Sequence, residues 1–347
     1  KYYIKNIMTL QALIKTLDLS TEGLKNDIYE RLKNISPYIN GGLAKYNKTD
    51  LINLINHLKK YITNKTPNNE YIFGDNIIKL DKEQQEIVNS EPNHNQRIVS
   101  AAGVGKSTTI LIRVKYLLDN YTTSDSILIL VYNCDAAQYL RDKAKLLFGF
   151  DISLNIYTLD AFSLKLIKAY DNSNSVYSLS EYSYQGNKIM LKYGKEISSS
   201  YKYIFCDEFQ DINDVQFNIL KIFTDNGCFL TVVGDDSQNI YSYRGSNNQY
   251  IINFDKLVTN TKTYYLRTNY RCSKFIVDAA NTSIKNNSTR IDKEMLATSK
   301  STWKPKLILS ETNEVSYHTI LRTINEYIEL GYEHSQIAIL SRNGYHL

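Results

Sequence analysis

Cysteine is scarce in this chain, and its few thiols are scattered. The 347 residues contain four cysteines, Cys134, Cys206, Cys228 and Cys272. No two of them form a Cys-x-x-Cys pair, so their spacing argues against a disulfide framework or a zinc site. We therefore expect a reducing, intracellular compartment. The sequence leaves open whether that is the nucleus, the cytoplasm or a viral replication site.

Long apolar runs are lacking as well. No segment approaches the roughly 20 apolar residues that a membrane-spanning helix requires, so we expect no membrane partner. Charge is nearly balanced, with 41 basic and 36 acidic residues and a net charge of +5. Residues 1–61 carry 10 basic and 5 acidic residues, so the excess lies in this segment. Such an excess is compatible with a polyanionic partner and equally with a solvated face.

A glycine-containing loop at residues 100–107, Ser-Ala-Ala-Gly-Val-Gly-Lys-Ser, is the first motif that carries chemistry. The sequence predicts a strand at 97–99 and an amphipathic helix at 108–118, which is the setting of a phosphate-binding P-loop. Its glycines let backbone N–H groups turn toward phosphate oxygens at the helix N-terminus. We expect Lys106 to reach the β- and γ-phosphates of ATP and Ser107 to bind Mg²⁺. The expected nucleotide contacts of the loop are Ala101, Ala102, Gly103, Val104, Gly105, Lys106, Ser107 and Thr108.

Ser100 stands where such a loop usually has its first glycine, and the loop alone leaves open a glycine-rich turn that merely starts a helix. A second segment favours the nucleotide site. Residues 203–206, Tyr-Ile-Phe-Cys, are typical of a strand buried in a parallel sheet, and Asp207 and Glu208 follow directly. Open α/β sheets place their ligands at this end of the strands. We expect Asp207 to help hold Mg²⁺ and Glu208 to polarise the attacking water; the structural alternative is an acidic surface turn.

Further segments stand in a fixed order along the chain. They are residues 80–84 (Leu-Asp-Lys-Glu-Gln), 131–133 (Val-Tyr-Asn), 158–162 (Thr-Leu-Asp-Ala-Phe), 233–245 (Val-Gly-Asp-Asp-Ser-Gln-Asn-Ile-Tyr-Ser-Tyr-Arg-Gly) and 266–271, which ends in Asn-Tyr-Arg. With the P-loop and the acidic pair, this order resembles the superfamily 1 DNA helicases of the UvrD/Rep/PcrA type, the eukaryotic F-box DNA helicase among them. The segments look like the Q motif and motifs Ia, Ib, III and IV. The resemblance covers about residues 78–343.

The resemblance implies roles for residues outside the P-loop. Gln84 would read the adenine edge and Tyr270 would stack on the adenine, with a packed core tyrosine as the alternative for Tyr270. Gln238 and Arg271 would contact the γ-phosphate. Contacts with single-stranded DNA would fall on Tyr132, Asn133, Tyr241, Tyr243 and Arg244.

The chain departs from that family in three places. Tyr243 replaces the usual tryptophan and offers a smaller stacking surface, and Thr108 stands where bacterial relatives often have an arginine. Motifs V and VI, with the arginine that completes the γ-phosphate site, have no counterpart before Leu347. We therefore expect this chain to be a fragment of a longer helicase.

The first 61 residues look like a separate module. Helices are predicted at residues 9–17 and 25–32, and the pattern Leu-Ser-Thr-x-Gly-x-Lys between them resembles the SAP domain, a small DNA-binding module. The resemblance implies DNA contacts at Lys15, Lys25 and Arg31. The alternative is a structural helical hairpin that docks on the motor.

Strands alternate with helices beyond this module, the pattern of a parallel α/β sheet. The fold class that we predict is therefore α/β, a RecA-like P-loop NTPase with a small all-α module before it. Strands are expected at residues 97–99, 127–132, 155–158, 203–206 and 229–233, and helices are expected to start at Thr108, Ala136, Ala161 and Val215.

The predicted domains are a SAP-like module at 1–61, a linker at 62–76, a first RecA-like ATPase domain at 77–270 with a reduced accessory insertion at 164–200, and the beginning of a second RecA-like domain at 271–347. In the last of these, strands at 306–309 and 337–340 would flank a helix at 314–330.

The function expected from this resemblance is an ATP-dependent DNA helicase or translocase that moves 3′ to 5′, in DNA repair, recombination or replication. Its cofactors would be ATP and Mg²⁺, and its partners single-stranded and duplex DNA. Three alternatives stay open: the motor subunit of a recombination nuclease, a nucleotide-gated DNA-binding module without turnover, and a superfamily 1 RNA helicase.

Overall fold

The computed structural model describes residues 70–341, except residues 75, 149–152 and 174 and the side chain of Arg244. The predicted SAP-like module, with Lys15, Lys25 and Arg31, lies outside the described residues. The chain divides into two compact units, one ending at Ser301 and the other beginning at Thr302. Within the described part, no helix combines the length and apolar character needed to cross a membrane.

The first unit is built on a parallel sheet of six strands. In chain order they are β3 (Asn95–Ser100), β4 (Ile127–Val131), β5 (Asn155–Thr158), β6 (Tyr203–Cys206), β7 (Phe229–Gly234) and β8 (Thr261–Leu266). In space the order is β5-β4-β6-β7-β3-β8. Strands β3, β4 and β6 are buried along their whole length. Strands β4 and β6 are continuous apolar runs, as expected in a parallel sheet, whereas β3 also buries polar side chains. The predicted α/β fold class is confirmed.

Helices follow the strands and cover both faces of the sheet. Their bounds are α1 (Lys82–Asn89), α2 (Lys106–Asn120), α3 (Cys134–Phe148), α4 (Leu159–Tyr170), α5 (Tyr182–Ser199), α6 (Asp214–Asp225), α7 (Gln249–Ile252), α8 (Phe254–Leu257) and α9 (Lys274–Ile284). Four of them begin one or two residues before the predicted starts. Side-chain caps explain two of these shifts, since Thr158 and Asn213 each accept an N–H bond from the first turn of the helix that follows.

Two clusters of buried apolar side chains lie on opposite faces of the sheet. Ile129 belongs to one cluster, whereas Leu128 and Leu130 belong to the other, because successive side chains of a strand point to opposite faces. The first cluster joins the sheet to α1, α2 and α3, and the second joins it to α4, α5 and α6.

A hairpin occupies part of the segment predicted as a linker. Strands β1 (Glu70–Phe73) and β2 (Asn76–Lys79) pair antiparallel, with Glu70 opposite Lys79. Tyr71 and Phe73 are buried in the first core cluster. The linker prediction is therefore wrong for residues 70–73, because two buried aromatic side chains tie this strand to the core.

The segment predicted as a reduced accessory insertion contains the end of α4 and all of α5. Helix α5 packs closely between its neighbours: a Cβ on Gly194 would come within 2.4 Å of Ile222 on α6, and a Cβ on Gly186 would come within 2.4 Å of Ser163 on α4. In this structure, α5 belongs to the helical layer of the sheet. The predicted insertion and the domain boundary at residue 270 stay predictions.

Beyond β8 the chain leaves the main sheet without leaving the first unit. Strand β9 (Thr268–Ser273) pairs in parallel with β10 (Leu296–Ser299), and α9 lies between them in sequence. The pairing is irregular. Thr268 and Asn269 stand opposite Leu296 and Ala297, but Ser273 stands opposite Ser299, so three residues of β9 face a single residue of β10. Residues 270–272 therefore form a bulge.

The second unit contains helix α10 (Asn313–Glu329), which Thr312 caps by accepting the Val315 N–H. The predicted helix is confirmed within one residue at each end. The strands predicted at 306–309 and 337–340 are wrong: within residues 302–341 neither segment pairs with another strand. A strand exists through its ladder to a neighbour, so an apolar pattern alone does not make one.

Candidate functional site

The loop after β3 has the backbone shape of a phosphate cradle. Gly103 (φ 66°) and Gly105 (φ 77°) are both left-handed, and α2 begins at Lys106 directly afterwards. Ser100, which replaces the usual first glycine, is fully buried and donates its hydroxyl hydrogen to the Gly234 carbonyl at 2.9 Å. The hydroxyl thus joins the end of β3 to the end of β7. It has a structural role that leaves the turn intact.

Lys106 meets Glu208 at the carboxyl edge of the sheet. The Lys106 Nζ lies 2.7 Å from Glu208 Oε2, and the Gln210 side chain donates to the same oxygen at 2.9 Å. Burial lowers the pKa of Lys106, but the charges of Asp207 and Glu208 outweigh it, so the net pKa is raised. Glu208 itself has a positive φ of 51°, a strained conformation for a residue with a side chain. Strain of this kind clusters at functional sites.

Asp207 is buried beside this pair. Its pKa is raised to about 6, because burial and the Glu208 charge raise it more than the Lys106 charge lowers it. Burial likewise raises the pKa of Asp211 to about 6. Asp211 was not among the predicted site residues, although it belongs to the same acidic segment. Two neighbouring carboxyl groups with raised pKa values are typical of functional sites.

The residues present suit a magnesium ion shared with a nucleotide. Among the described residues, no group of three or more Asp, Glu, His or Cys side chains is arranged to hold a metal. Mg²⁺ with a nucleotide needs fewer protein ligands, because phosphates and water complete its octahedron. The Ser107 hydroxyl, on the first turn of α2, and the Asp207 carboxylate are oxygen donors of the kind that Mg²⁺ prefers.

Gln238 lies in the turn after β7, and Asp235 of the same turn binds its side chain. Its Nε2 donates to Asp235 Oδ2 at 2.7 Å. The Asp235 N–H in turn donates to the side chain of Gln210 at 3.0 Å, which links this turn to Glu208. Gln210 was quoted within the acidic segment without a role, and the structure makes it the bridge between the two motifs.

Gln84 and Tyr270 meet around Asp81. Gln84 is the third residue of α1 and closes a capping box with Asp81. Its Nε2 also donates to the Val104 carbonyl of the P-loop at 3.4 Å. The Tyr270 hydroxyl donates to Asp81 Oδ2 at 2.6 Å while the side chain is 46 % exposed, so the alternative of a packed core tyrosine is wrong. Both predicted adenine contacts therefore lie at one side of the P-loop.

Asn269 shapes the bulge that carries Tyr270 and Arg271. Its Oδ1 accepts the N–H groups of Arg271 and Cys272, at 2.9 and 2.7 Å, and its Nδ2 donates to the Ala102 carbonyl at 2.8 Å. The Tyr270 N–H donates to the Gly103 carbonyl at 3.0 Å. The bulge is thus fastened to the P-loop by two hydrogen bonds, and the exposed Arg271 lies beside Gly103.

Three predicted DNA contacts form one aromatic cluster. The rings of Tyr132 and Tyr241 stack with centroids 5.0 Å apart at 23°, and Tyr241 and Tyr243 lie 6.2 Å apart at 51°. Tyr243 is 74 % exposed. Tyr132 follows β4 while the other two follow the Gln238 turn, so the fold brings distant segments together. Asn133 instead accepts the Ala136 N–H at 2.7 Å and so helps to start α3.

Comparison with known proteins decides the family. A model of the UvrD/REP helicase N-terminal domain matches residues 80–187 and 181–259, and one of the UvrD-like helicase C-terminal domain matches residues 264–346. The chain belongs to the UvrD/REP helicase family.

Relatives in this family share about a third or more of their aligned residues with it. A probable DNA helicase II homolog of Mycoplasma capricolum is 41 % identical over 162 residues, which is 46 % of this chain and 21 % of that protein. The helicase Rep of Buchnera aphidicola is 33 % identical over 159 residues, 46 % of this chain and 24 % of its own. PcrA of Staphylococcus aureus is 34 % identical over 144 residues, 42 % of this chain and 20 % of its own. The chain thus spans about a fifth to a quarter of each relative's length.

Solved helicase structures resemble the chain more distantly. Pif1 from Candida albicans aligns at 16 % identity with a TM-score of 0.38, covering 60 % of this chain and 44 % of its own. UvsW from bacteriophage T4 aligns at 14 % identity with a TM-score of 0.38, covering 56 % and 63 %.

Proposed function

We propose that this chain is part of the motor of an ATP-dependent DNA helicase, which couples Mg-ATP hydrolysis to 3′–5′ movement on single-stranded DNA and to duplex unwinding in DNA repair, recombination or replication. The observation that carries the proposal is the contact of Lys106 with Glu208 at 2.7 Å, where a P-loop and a buried acidic strand end meet. Curated relatives named as DNA helicases favour DNA over RNA as the substrate.

The hydrolytic roles follow from the positions of four side chains. Lys106, at the start of α2, would hold the β- and γ-phosphates, whose negative charge competes with Glu208 for its ammonium. Glu208 would then accept a proton from the attacking water. Asp207 and Ser107 would hold Mg²⁺, which neutralises charge on the phosphate oxygens.

Coupling to DNA follows from the short path between the two sites. Gln238 and Tyr241 are separated by two residues, and Tyr241 stacks on Tyr132. A change in the Gln238 turn on γ-phosphate binding or loss would therefore shift an aromatic surface on which bases stack. Residues 1–61, with Lys15, Lys25 and Arg31, would add a duplex-binding arm.

The test separates nucleotide binding from hydrolysis in the full-length protein. Lys106→Ala removes the phosphate contact and should abolish ATP binding or turnover. Glu208→Gln keeps the shape of the side chain but cannot accept the proton, so it should bind ATP and fail to hydrolyse it. Lys145→Ala, which removes an exposed lysine of α3 paired with Asp142, is the matched control. Retained DNA-stimulated ATPase activity in the Glu208→Gln protein would overturn the proposal.

A further inference from the structure

A buried lysine after helix α9 reaches back to the turn that carries Gln238. The Lys293 side chain is 7 % exposed, and its Nζ lies 2.8 Å from Asp235 Oδ1. The same ammonium pairs with Asp236 Oδ1. The backbone adds a further bond, because the Ile291 N–H donates to Asp236 Oδ2 at 2.9 Å. The segment between α9 and β10 is thus fastened to both carboxylates of the turn.

Asp235 joins Lys293 to Gln238 through its two oxygens. Oδ1 receives the Lys293 ammonium, and Oδ2 receives the Gln238 amide at 2.7 Å. Because the two oxygens belong to one rigid plane, a cation fixed on Oδ1 sets the direction in which Oδ2 points. The orientation of the Gln238 amide therefore depends on Lys293, which is distant in sequence.

The surroundings leave Gln238 room to turn when this tether is lost. A cavity of about 170 Å³ borders the turn. Its lining is largely apolar and includes Ala101, Ala102, Gln238, Ile284, Lys293 and Met295. Two polar side chains of this wall are engaged elsewhere, Asn281 with the Met295 backbone and Arg290 with Asp292. Without the hydrogen bond that it donates to Asp235, the Gln238 amide would therefore sample several orientations.

Charge balance explains why a lysine stands there. Asp235, Asp236 and Lys293 are all buried or nearly so and sum to a net charge of −1. Without the ammonium, two neighbouring buried carboxylates would face each other, which burial and like charge both disfavour. The charge of Asp235 is also among those that raise the pKa of Lys106, so this carboxylate lies close to the P-loop.

We propose that Lys293 is a positioning residue for ATP hydrolysis: it orients Asp235, which holds the Gln238 amide toward the γ-phosphate. The inference rests on the proposed function, since it adds to the same site a residue that acts through Asp235 and Gln238. Lys293 acts through Asp235 and Gln238 and makes no nucleotide contact of its own. Its loss should therefore lower kcat and leave the KM for ATP nearly unchanged.

The experiment uses the full-length protein with ATP and a single-stranded oligonucleotide. Lys293→Met removes the ammonium. The double variant Lys293→Met with Asp236→Asn keeps the net charge of the trio at −1, so it guards against failure to fold. Lys274→Met, which removes an exposed lysine of α9 paired with Asp278, is the matched control. Each variant is assayed for kcat, KM and hydrogen exchange of the amides at 235–239, and the double variant is also made in a Gln238→Ala background.

We expect kcat to fall about 10²-fold, the typical cost of misplacing a catalytic group by about 1 Å. KM should stay close to the parent value, exchange at 235–239 should quicken, and the double substitution should cost nothing more when Gln238 is already alanine. An equal loss of kcat in the Gln238→Ala background, or unchanged exchange, would overturn the inference. A parent protein without turnover would refute the proposed function instead, and the exchange measurement would still decide whether Lys293 holds the turn.

Discussion

Replacing Tyr243 by alanine should lower the affinity for single-stranded DNA without changing the stability of the fold. The ring is 74 % exposed and touches Tyr241 at the end of the aromatic cluster. Truncation of such an exposed side chain usually changes stability by less than about 0.5 kcal/mol. Whatever is lost in DNA affinity can then be attributed to the missing base contact.

The magnitude follows from stacking. A base on an aromatic side chain contributes roughly 1–3 kcal/mol, so the Kd for single strands should rise about 5- to 150-fold. Tyr241→Ala should cost stability as well, because this ring also stacks on Tyr132 at 5.0 Å. Tyr243→Phe keeps the π-face and should bind nearly as the parent does.

The assay is fluorescence anisotropy of a labelled oligonucleotide, with DNA-stimulated ATPase activity and a melting curve for each variant. Tyr184→Ala is a suitable control, since this tyrosine is 53 % exposed on α5 and contacts Lys188 instead of the cluster. If Tyr243→Ala binds single strands and responds to them as the parent does, the aromatic cluster is not the DNA site.

Three further predictions follow from single features. Gly103→Ala should impair ATP binding, because the left-handed φ strains the new residue and its Cβ would lie 2.9 Å from the Arg271 Cβ. Gly227 also has a left-handed φ but lies in open space, so Gly227→Ala should leave the affinity for ATP intact. Equal effects of the two substitutions on ATP affinity would refute the clash with Arg271. Burial raises the pKa of Asp207 to about 6 from about 4 in the unfolded chain, so its contribution to stability falls as pH rises through that interval. Asp207→Asn should therefore raise the melting temperature of the protein without nucleotide above pH 6 and lose this advantage near pH 4, and a pH-independent difference would contradict the assignment. Deleting residues 1–61 should lower duplex affinity and its salt dependence while the ATPase persists; unchanged duplex binding with a less stable motor would instead favour a docked hairpin.

Local pattern was enough to predict five of the six strands of the main sheet, whereas β8 (Thr261–Leu266) was not predicted. The runs at 127–131 and 203–206 are apolar throughout, and such runs fit a strand buried on both faces. The P-loop, the acidic pair and the Gln238 turn lie together because each follows a strand of the parallel sheet, β3, β6 or β7, whose carboxyl ends share one edge. Helix starts shifted by one or two residues, since caps such as Thr158 lie outside the apolar periodicity.

Long-range partners could not be predicted in the same way. Nothing in the local sequence around Lys293 indicates that it pairs with Asp235, 58 residues earlier. The strands expected at 306–309 and 337–340 failed for a related reason, because their apolar pattern says nothing about which neighbour would complete a ladder. Tyr71 and Phe73 lie in the segment predicted as a linker from its loop-forming residues, although both side chains are buried.

The bulge at residues 270–272 has a consequence for how much substitution two adjacent positions tolerate. The side chains of residues 270–272 do not hold the bulge in shape. The side-chain amide of Asn269 and the backbone hydrogen bond from the Tyr270 N–H to the Gly103 carbonyl do so. Tyr270 can therefore be exchanged without altering strand pairing on either side, whereas Asn269 supports three hydrogen bonds that no hydrophobic residue could replace. Asn269 and Tyr270 are adjacent, yet they should differ sharply in mutational tolerance, because the architecture of the bulge constrains only the first.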